Sequence, residues 1–484
     1  MSSNLSTLYK IILVFSAKVG KGVGGLFLTW ALARKYGAYG SGLFFIPYTF
    51  AFLSALISQL GLGNACMKFA PVLKKEAPAN LSFLWTVTLS AVGLFAGSLL
   101  LSVVAFPEFF SQLVFKSPDK TDYILYAAPI ILFWGLTYLI IFFRQSLGDV
   151  SGIAVIENTV IPWGMLLIAL STFVVDMSVL NYVLCITILF AVCFLYAFVS
   201  TRNRYGLCFS LKLNSSLAIR DIAVYCLPLL LIAFAQNSLV WINTLILGGI
   251  GSVADSAIFV SGMRVAMSIS ILLYTFNSVY VPHISAAYAR NDCRVIGELY
   301  DDITCSLSLF SFVILALSIM YSDLIMASFG SDYDGGSGCL MYLILGNVFS
   351  CYIGPVGYIL LMAGRSKLEA FNTVVALTVN GVLCLVLYNR MGVTGAGAAF
   401  FWAFVLVNML RYVQCRRILG LRWMNPVQTR IMGIQLVFCA AYFLLCRLEV
   451  NRELMAAGFI GLYGGVNIGT IRMLVGKMKV SHEI

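Results

Sequence analysis

Long apolar runs recur along the whole sequence, and their length constrains the fold more than any other feature. The first run covers residues 11 to 33, and at about 1.5 Å per residue it is long enough to cross a hydrocarbon core of about 30 Å as a helix. The sequence predicts an all-α polytopic membrane protein with about 14 transmembrane helices. Their approximate limits are 8–33, 42–62, 82–106, 122–143, 152–175, 178–200, 223–250, 256–282, 303–328, 338–362, 371–389, 393–413, 429–446 and 454–476.

The amino-acid composition excludes a soluble globular chain. Of the 484 residues, 61% are hydrophobic and 11% are charged, whereas soluble domains have about 25% charged residues. The net charge is +11, but the basic residues lie between apolar runs rather than in one patch, so no nucleic-acid partner is indicated. The 13 cysteines lie mostly within apolar runs, without paired or metal-like spacing, so we expect neither a disulfide framework nor a metal site.

Charge distribution and a faint internal repeat predict the topology. With a cytoplasmic N-terminus, about 21 of the 31 Lys and Arg residues fall in cytoplasmic segments, and this bias predicts that both termini are cytoplasmic. The tripeptide Asn158-Thr159-Val160 reappears in the second half of the chain as Asn372-Thr373-Val374, and the same shift of 214 residues carries Gly37 onto Gly251. Such a shift, which covers six spans, indicates two halves of the same orientation, related by an axis along the membrane normal.

The predicted domains follow from this repeat. Two six-helix lobes form a parallel pseudo-repeat, a cytoplasmic amphipathic linker joins them, and two additional helices follow. Their limits are 1–200 for the N-terminal lobe (helices 1–6), 201–222 for the linker, 223–417 for the C-terminal lobe (helices 7–12) and 418–484 for the two C-terminal helices.

Lys18 and Lys21 lie near the middle of the first apolar run. Each buried ammonium costs roughly 2.5 to 3.5 kcal/mol, so such residues are tolerated where they face a wet cavity, snorkel or pair. Three residues apart, they share one face of a helix. We interpret them as part of a positively charged lumen that receives an anion. The alternative is that both lysines extend to lipid phosphates, although their position in mid-span makes that reach long.

Other polar residues within the apolar runs are further candidates for a binding site, because polar side chains are rare within membrane spans and commonly mark binding sites or transport pathways. Arg264 supplies a third cation with little acidic countercharge nearby, which favours an anionic ligand. Its alternative role is a hydrogen bond to backbone carbonyls. Arg144 and Glu157 are expected to pair at the cytoplasmic rim. The remaining candidates are uncharged side chains, namely Gln59, Gln236, Asn237, Tyr274 and Asn277.

Enzyme functions are disfavoured. The only two histidines, His283 and His482, lie at or beyond span ends, so neither a His-based metal cluster nor a triad is indicated. Asp332-Tyr333-Asp334 resembles the Asp-x-Asp of some glycosyltransferases, but two glycines follow it and a turn is the better interpretation. A membrane glycosyltransferase or polymerase would need a large external loop, and none is predicted. We therefore expect no enzyme activity and no cofactor; a coupling ion, H⁺ or Na⁺, is left open.

Four short stretches resemble recurring motifs of a known family, namely 362–367 (MAGRSK) with Asn372 and Asn380, 392–399 (GVTGAGAA), 329–333 (FGSDY) and 60–64 (LGLGN). That family is the multidrug/oligosaccharidyl-lipid/polysaccharide (MOP) exporter superfamily. Within it, a chain with about fourteen spans most resembles the Wzx-type flippases of bacterial inner membranes. Lipid II flippases also tend to carry an arginine on the second span, and none occurs between residues 42 and 62.

The resemblance implies a V of two six-helix lobes around a central lumen. It implies a flippase in the bacterial cytoplasmic membrane that turns an undecaprenyl-diphosphate-linked oligosaccharide, the precursor of O-antigen, capsule or exopolysaccharide, between leaflets by alternating access. Lys18, Lys21 and Arg264 match cations proposed to hold the diphosphate in this superfamily, and the five uncharged candidates would contact sugars. Implied partners are the lipid-linked substrate, membrane lipids and other polysaccharide-assembly proteins. The alternatives are a cation-coupled multidrug exporter and a lipid II flippase.

Overall fold

The computed structural model describes residues 2–76, 79–149, 155–210, 219–421, 425–447 and 451–480, and these parts of the chain are helical without any strand. Short 3₁₀ segments occur at Pro118–Lys120 and Ser331–Gly336, and a π-helix at Ile156–Val160. The α-helices are α1 Ser2–Ser58, α2 Leu62–Glu76, α3 Ala79–Ala105, α4 Pro107–Phe115, α5 Thr121–Ala127, α6 Pro129–Ser146, α7 Ile161–Ser171, α8 Val179–Tyr205, α9 Ile219–Ile250, α10 Val253–Ala289, α11 Cys293–Met320, α12 Ser322–Ala327, α13 Ser337–Ile353, α14 Val356–Met362, α15 Ser366–Met391, α16 Val393–Leu419, α17 Pro426–Arg447 and α18 Arg452–Val480.

Eleven stretches of the described chain are long and apolar enough to cross a membrane, as expected of a multi-pass membrane protein. One of them, Ser16–Ser58, overlaps two of the predicted spans, 8–33 and 42–62, and α1 turns between them at Gly37. The predicted span 152–175 coincides with a shorter apolar helix, Ile156–Ser171. The predicted span 429–446 coincides with α17, which is not among the eleven. The all-helical class is thus confirmed, and the number of crossings stays a prediction.

Gly37 divides α1 into two arms. Its backbone has φ 66° and ψ −174°, in the region that glycine adopts without the steric cost of a Cβ. We call residues 2–36 the first arm and residues 38–58 the second arm. Gly251, the repeat partner of Gly37, also lies between two helices, because α9 ends at Ile250 and α10 begins at Val253.

Proline positions coincide with several breaks between helices. Pro129 begins α6, Pro162 lies in the first turn of α7, and Pro355 separates α13 from α14. Pro47 lies inside α1 and Pro228 inside α9. Proline lacks the N–H that an α-helix needs and crowds the preceding turn, which explains why three of these five positions are helix boundaries.

Packing places α1 at the centre of the helices described here. It contacts α6, α7, α9 and α10. Another tightly packed group is formed by α13, α15 and α16 with α9 and α10. The C-terminal helices α17 and α18 pack on α11, where the Gln435 amide donates to the carbonyl of Ser308 at 2.9 Å. The predicted linker 201–222 lies partly outside the described residues, since 211–218 are not described.

A buried ion pair joins the ends of α6 and α8. The Arg144 guanidinium donates to the Asp149 carboxylate at 2.6 Å and 2.9 Å, and Arg204 donates to the same oxygen at 3.0 Å. The Asp149 and Arg144 side chains are only 3% and 7% exposed. The expected Arg144–Glu157 pair is therefore wrong. A nearer carboxylate reaches Arg144, because the chain turns back at Gly148, whose φ is +87°.

Asp149→Asn is expected to destabilise the protein by about 3 kcal/mol, because it leaves the Arg144 guanidinium buried beside a neutral amide. The measurement is the thermal unfolding midpoint of the purified protein. Asp176→Asn is the matched control, since Asp176 pairs with Lys35 at 3.2 Å but is fully exposed and exposed pairs contribute little. Equal midpoints for both variants would contradict a stabilising role of the buried pair.

Candidate functional site

Glycines allow neighbouring helices to approach the first arm of α1 closely. A Cβ built on Gly20 or Gly24 would lie 3.6 to 3.8 Å from atoms of the Trp163 side chain on α7. One built on Gly25 would lie 3.1 Å from Nη1 of Arg264 on α10. The first arm is thus packed between α7 and α10, and small residues permit this proximity.

The three predicted cations lie along one side of the first arm. At 100° per residue, positions 18, 21 and 25 fall within a sector of about 60° and extend over about 10 Å of helix. The Arg264 guanidinium stands against Gly25, so it continues the line that Lys18 and Lys21 begin. We call Lys18, Lys21 and Arg264 the cation column.

Arg264 is partly buried and keeps its hydrogen-bonding capacity free among the described residues. Its Cζ lies 4.8 Å from the ring centroid of Trp241 on α9, within the range of a cation–π contact. Its Nε is buried and has no hydrogen-bond partner in the described part of the chain. A buried donor without a partner is costly, and the described residues offer this Nε no acceptor.

Lys21 and Lys18 differ in their partners. Lys21 Nζ lies 2.8 Å from Oε1 of Glu157, which belongs to the π-helix that precedes α7. Lys18 is exposed, and it makes no ion pair with any described residue. Sequence reasoning identified Glu157 but assigned it the wrong partner. The contact between Glu157 and Lys21 depends on how the π-helix packs against the first arm, and a single sequence does not specify that packing.

The five uncharged candidates are not gathered around the cation column. Relative to Arg264, Tyr274 is rotated by about 80° around α10 and Asn277 by about 140°. Gln59 is buried beyond the far end of the second arm. Asn237 donates to the carbonyl of Ala233 in its own helix at 2.8 Å. Asn277 is nevertheless notable, because both polar atoms of its buried amide lack a partner among the described residues.

Comparisons with known proteins give similarity in structure but not in sequence. No family model matches the chain, and no curated protein matches it. The structure resembles the lipid II flippase MurJ in an inward closed conformation, with a TM-score of 0.71 and 14% identity over 95% of this chain and 100% of that one. It also resembles an inward-facing multidrug resistance MATE family transporter of the MOP superfamily, with a TM-score of 0.66 and 14% identity over 85% of this chain and 98% of the other.

A third similar structure is a MOP superfamily transporter from Pyrococcus furiosus, with a TM-score of 0.56 and 11% identity over 85% of this chain and 94% of the other. The chain has the fold of the MOP superfamily transporters. The predicted resemblance is therefore confirmed at the level of the fold. The structures that it resembles are those of transporters.

Within this MOP fold, a second polar cluster surrounds Glu369 on α15. Arg411 on α16 binds both oxygens of this buried carboxylate, one of them at 2.9 Å. Gln236, a predicted sugar contact, donates to Glu369 at 3.4 Å. Sequence reasoning missed both Glu369 and Arg411. The available signal was an acidic residue close to an apolar run in a chain with only 20 acidic residues.

At the turn between its arms, α1 of the MOP fold meets helices of the C-terminal half. Trp30 donates its ring N–H to the carbonyl of Ser328 at 3.0 Å, and the backbone N–H of Ala38 donates to Oδ2 of Asp332 at 3.2 Å. A Cβ built on Gly42 would lie 2.0 Å from the carbonyl oxygen of Val253. We call this region the outer contact, because the predicted topology places it on the outer side of the membrane. Asp332 belongs to the 3₁₀ segment Ser331–Gly336, which confirms that the Asp-x-Asp sequence forms a turn.

Proposed function

We propose that this chain is a flippase for an undecaprenyl-diphosphate-linked oligosaccharide in the bacterial cytoplasmic membrane. The observation that carries the proposal is Arg264, whose buried Nε lacks a partner among the described residues while its guanidinium continues a line of two lysines. Guanidinium and ammonium groups are suited to phosphate oxygens, and guanidinium offers them two parallel hydrogen bonds. The MurJ-like fold supports a lipid-linked substrate for this site.

The proposed mechanism uses the cation column as the headgroup site. The diphosphate would bind to Lys18, Lys21 and Arg264 in a cavity between lobes 1–200 and 223–417, while the polyprenyl chain stays in lipid. Gln59, Gln236, Asn237, Tyr274 and Asn277 remain proposed sugar contacts, reached by different parts of a long glycan. Alternating closure at the outer contact and at the cytoplasmic side would expose the site to one leaflet at a time.

Deletion of the gene tests this function. We expect loss of surface polysaccharide and accumulation of lipid-linked repeat units in the cytoplasmic leaflet, both reversed by a plasmid copy. The measurements are gel analysis of surface polysaccharide and mass spectrometry of extracted lipid-linked sugars. A null strain with intact surface polysaccharide and no accumulated lipid-linked repeat unit would contradict the proposal. A null strain that instead accumulates lipid II and lyses would identify the peptidoglycan precursor as the cargo.

A multidrug exporter is the second candidate, and the similarity to a MATE family transporter favours it. Such an exporter of cationic compounds is expected to use carboxylates, and Glu369 is a buried carboxylate in the C-terminal half. Glu369 is, however, already bound by Arg411. New sensitivity of the null strain to cationic dyes, with unchanged polysaccharide, would support the exporter.

A further inference from the structure

Glu157 places a negative charge inside the proposed headgroup site, where it competes with an anion for Lys21. Its Oε1 lies 2.8 Å from Lys21 Nζ, and this is the one ion pair that the cation column makes within the described residues. The Lys21 side chain is 46% exposed, whereas the Glu157 side chain is 16% exposed. A ligand can therefore reach the ammonium while the carboxylate stays largely covered.

Glu157 lies in an unusual stretch of backbone. It belongs to the π-helix Ile156–Val160, immediately before α7 and its Pro162. Single π turns are uncommon and occur frequently at functional sites. This local backbone and the contact with Lys21 are two separate observations on the same carboxylate.

The charges of these four residues match those of a diphosphate diester. The cation column carries three positive charges and Glu157 one negative charge, so the empty site has a net charge of plus two. A diphosphate esterified at both ends by lipid and sugar carries about two negative charges near neutral pH. Binding of that headgroup leaves the site neutral, whereas a site without Glu157 would keep a surplus positive charge and hold the product more firmly.

We infer that Glu157 is a resident counter-charge, which holds Lys21 in the empty protein and competes with the headgroup for it, so that the substrate is bound weakly enough to be released. This inference rests on the proposed function and adds a positioning residue to it. During transport Lys21 exchanges its carboxylate partner for a phosphate oxygen, and on release it returns to Glu157. No bond is formed or broken other than hydrogen bonds and ion pairs.

The test measures binding of undecaprenyl-diphosphate N-acetylglucosamine to the full-length protein in nanodiscs. Glu157→Gln is expected to lower the Kd about three- to tenfold and to slow dissociation, because the competitor for Lys21 is lost. Glu298→Gln is the matched control and should leave both unchanged, since Glu298 forms an exposed pair with Arg294 at 3.0 Å. If Glu157 only stabilised the fold, Glu157→Gln would lower the unfolding midpoint and leave binding equal or weaker. That result would overturn the inference.

A double substitution keeps the inference testable even where Glu157→Gln alone fails to accumulate. Lys21→Met should weaken binding about tenfold, because Glu157 then repels the phosphate without a partner. Lys21→Met combined with Glu157→Gln restores the net charge of plus two and should bind within about threefold of the native protein. Failure of the second change to rescue the first would refute the counter-charge. A native protein that binds undecaprenol as well as the diphosphate lipid would refute the proposed function itself.

Discussion

Arg264→Glu is expected to abolish export of the lipid-linked glycan while the protein accumulates normally in the membrane. The substitution replaces a guanidinium that has an unpaired, buried Nε by a carboxylate that repels phosphate. It also turns a favourable contact with the Trp241 ring into an unfavourable one, because the face of an aromatic ring is negative. We expect a loss of transport of on the order of a hundredfold or more, since two charge-assisted hydrogen bonds are replaced by repulsion.

The measurement is complementation of the null strain, with surface polysaccharide and membrane protein level determined together. Arg264→Lys should retain part of the activity, because it keeps the charge but not the fork of two donors. Arg390→Glu is the matched control, an exposed arginine in the last turn of α15. Full export by Arg264→Glu would show that the guanidinium does not bind the headgroup.

Gly42→Ala is expected to prevent closure of the outer contact. The added Cβ would stand 2.0 Å from the carbonyl oxygen of Val253 and 2.6 Å from its Cγ1. The clash is with the main chain of Val253, which cannot move aside as the end of a flexible side chain can. The second arm of α1 and the start of α10 must therefore separate. Because a transporter of the proposed kind has to close here in each cycle, we expect export to fall at least about tenfold.

Accessibility of a cysteine reports this separation directly. Ser261 is fully buried in the native protein, so Ser261→Cys should resist a membrane-impermeant maleimide in intact cells. In the Gly42→Ala background it should react. Gly97→Ala is the matched control, because a Cβ on Gly97 in α3 meets nothing within 4 Å. Unchanged export together with an unreactive cysteine would show that the contact at Gly42 can adapt.

Sequence reasoning predicted the all-helical class because a run of apolar residues determines both the environment and the backbone of a helix that must satisfy its own hydrogen bonds. It also ended the first span at residue 33 and began the second at residue 42, and Gly37, where α1 divides, lies between these limits. It failed at Arg144. Its partner Asp149 is five residues away, but their contact depends on the turn at Gly148, and a count of charges along the sequence contains no turn geometry.

In the candidate site, too, sequence reasoning could place some residues and not others. Lys18 and Lys21 could be placed together because their spacing lies within one helix, which has a known period. The position of Arg264 against Gly25 depends on how α10 packs on α1, and a single sequence does not specify that packing. The amide of Asn237, a proposed sugar contact, also donates to the carbonyl of Ala233 one turn earlier, a local bond that the apolar run around it does not reveal.

Asp332 accepts its hydrogen bond from the main chain of Ala38 and lies 2.7 Å from where a Cβ of Gly37 would stand. This hydrogen bond restricts the two residues unequally, because Asp332 contributes a side-chain oxygen and Ala38 contributes only its main-chain N–H. The hydrogen bond requires of position 38 only an N–H, and the burial of Ala38 restricts that position to small side chains. Gly37 cannot gain a side chain, and Asp332 cannot lose its oxygen. Among relatives of this protein, residue 38 should therefore vary only among small residues other than proline, whereas any substitution should be selected against at Gly37 and Asp332.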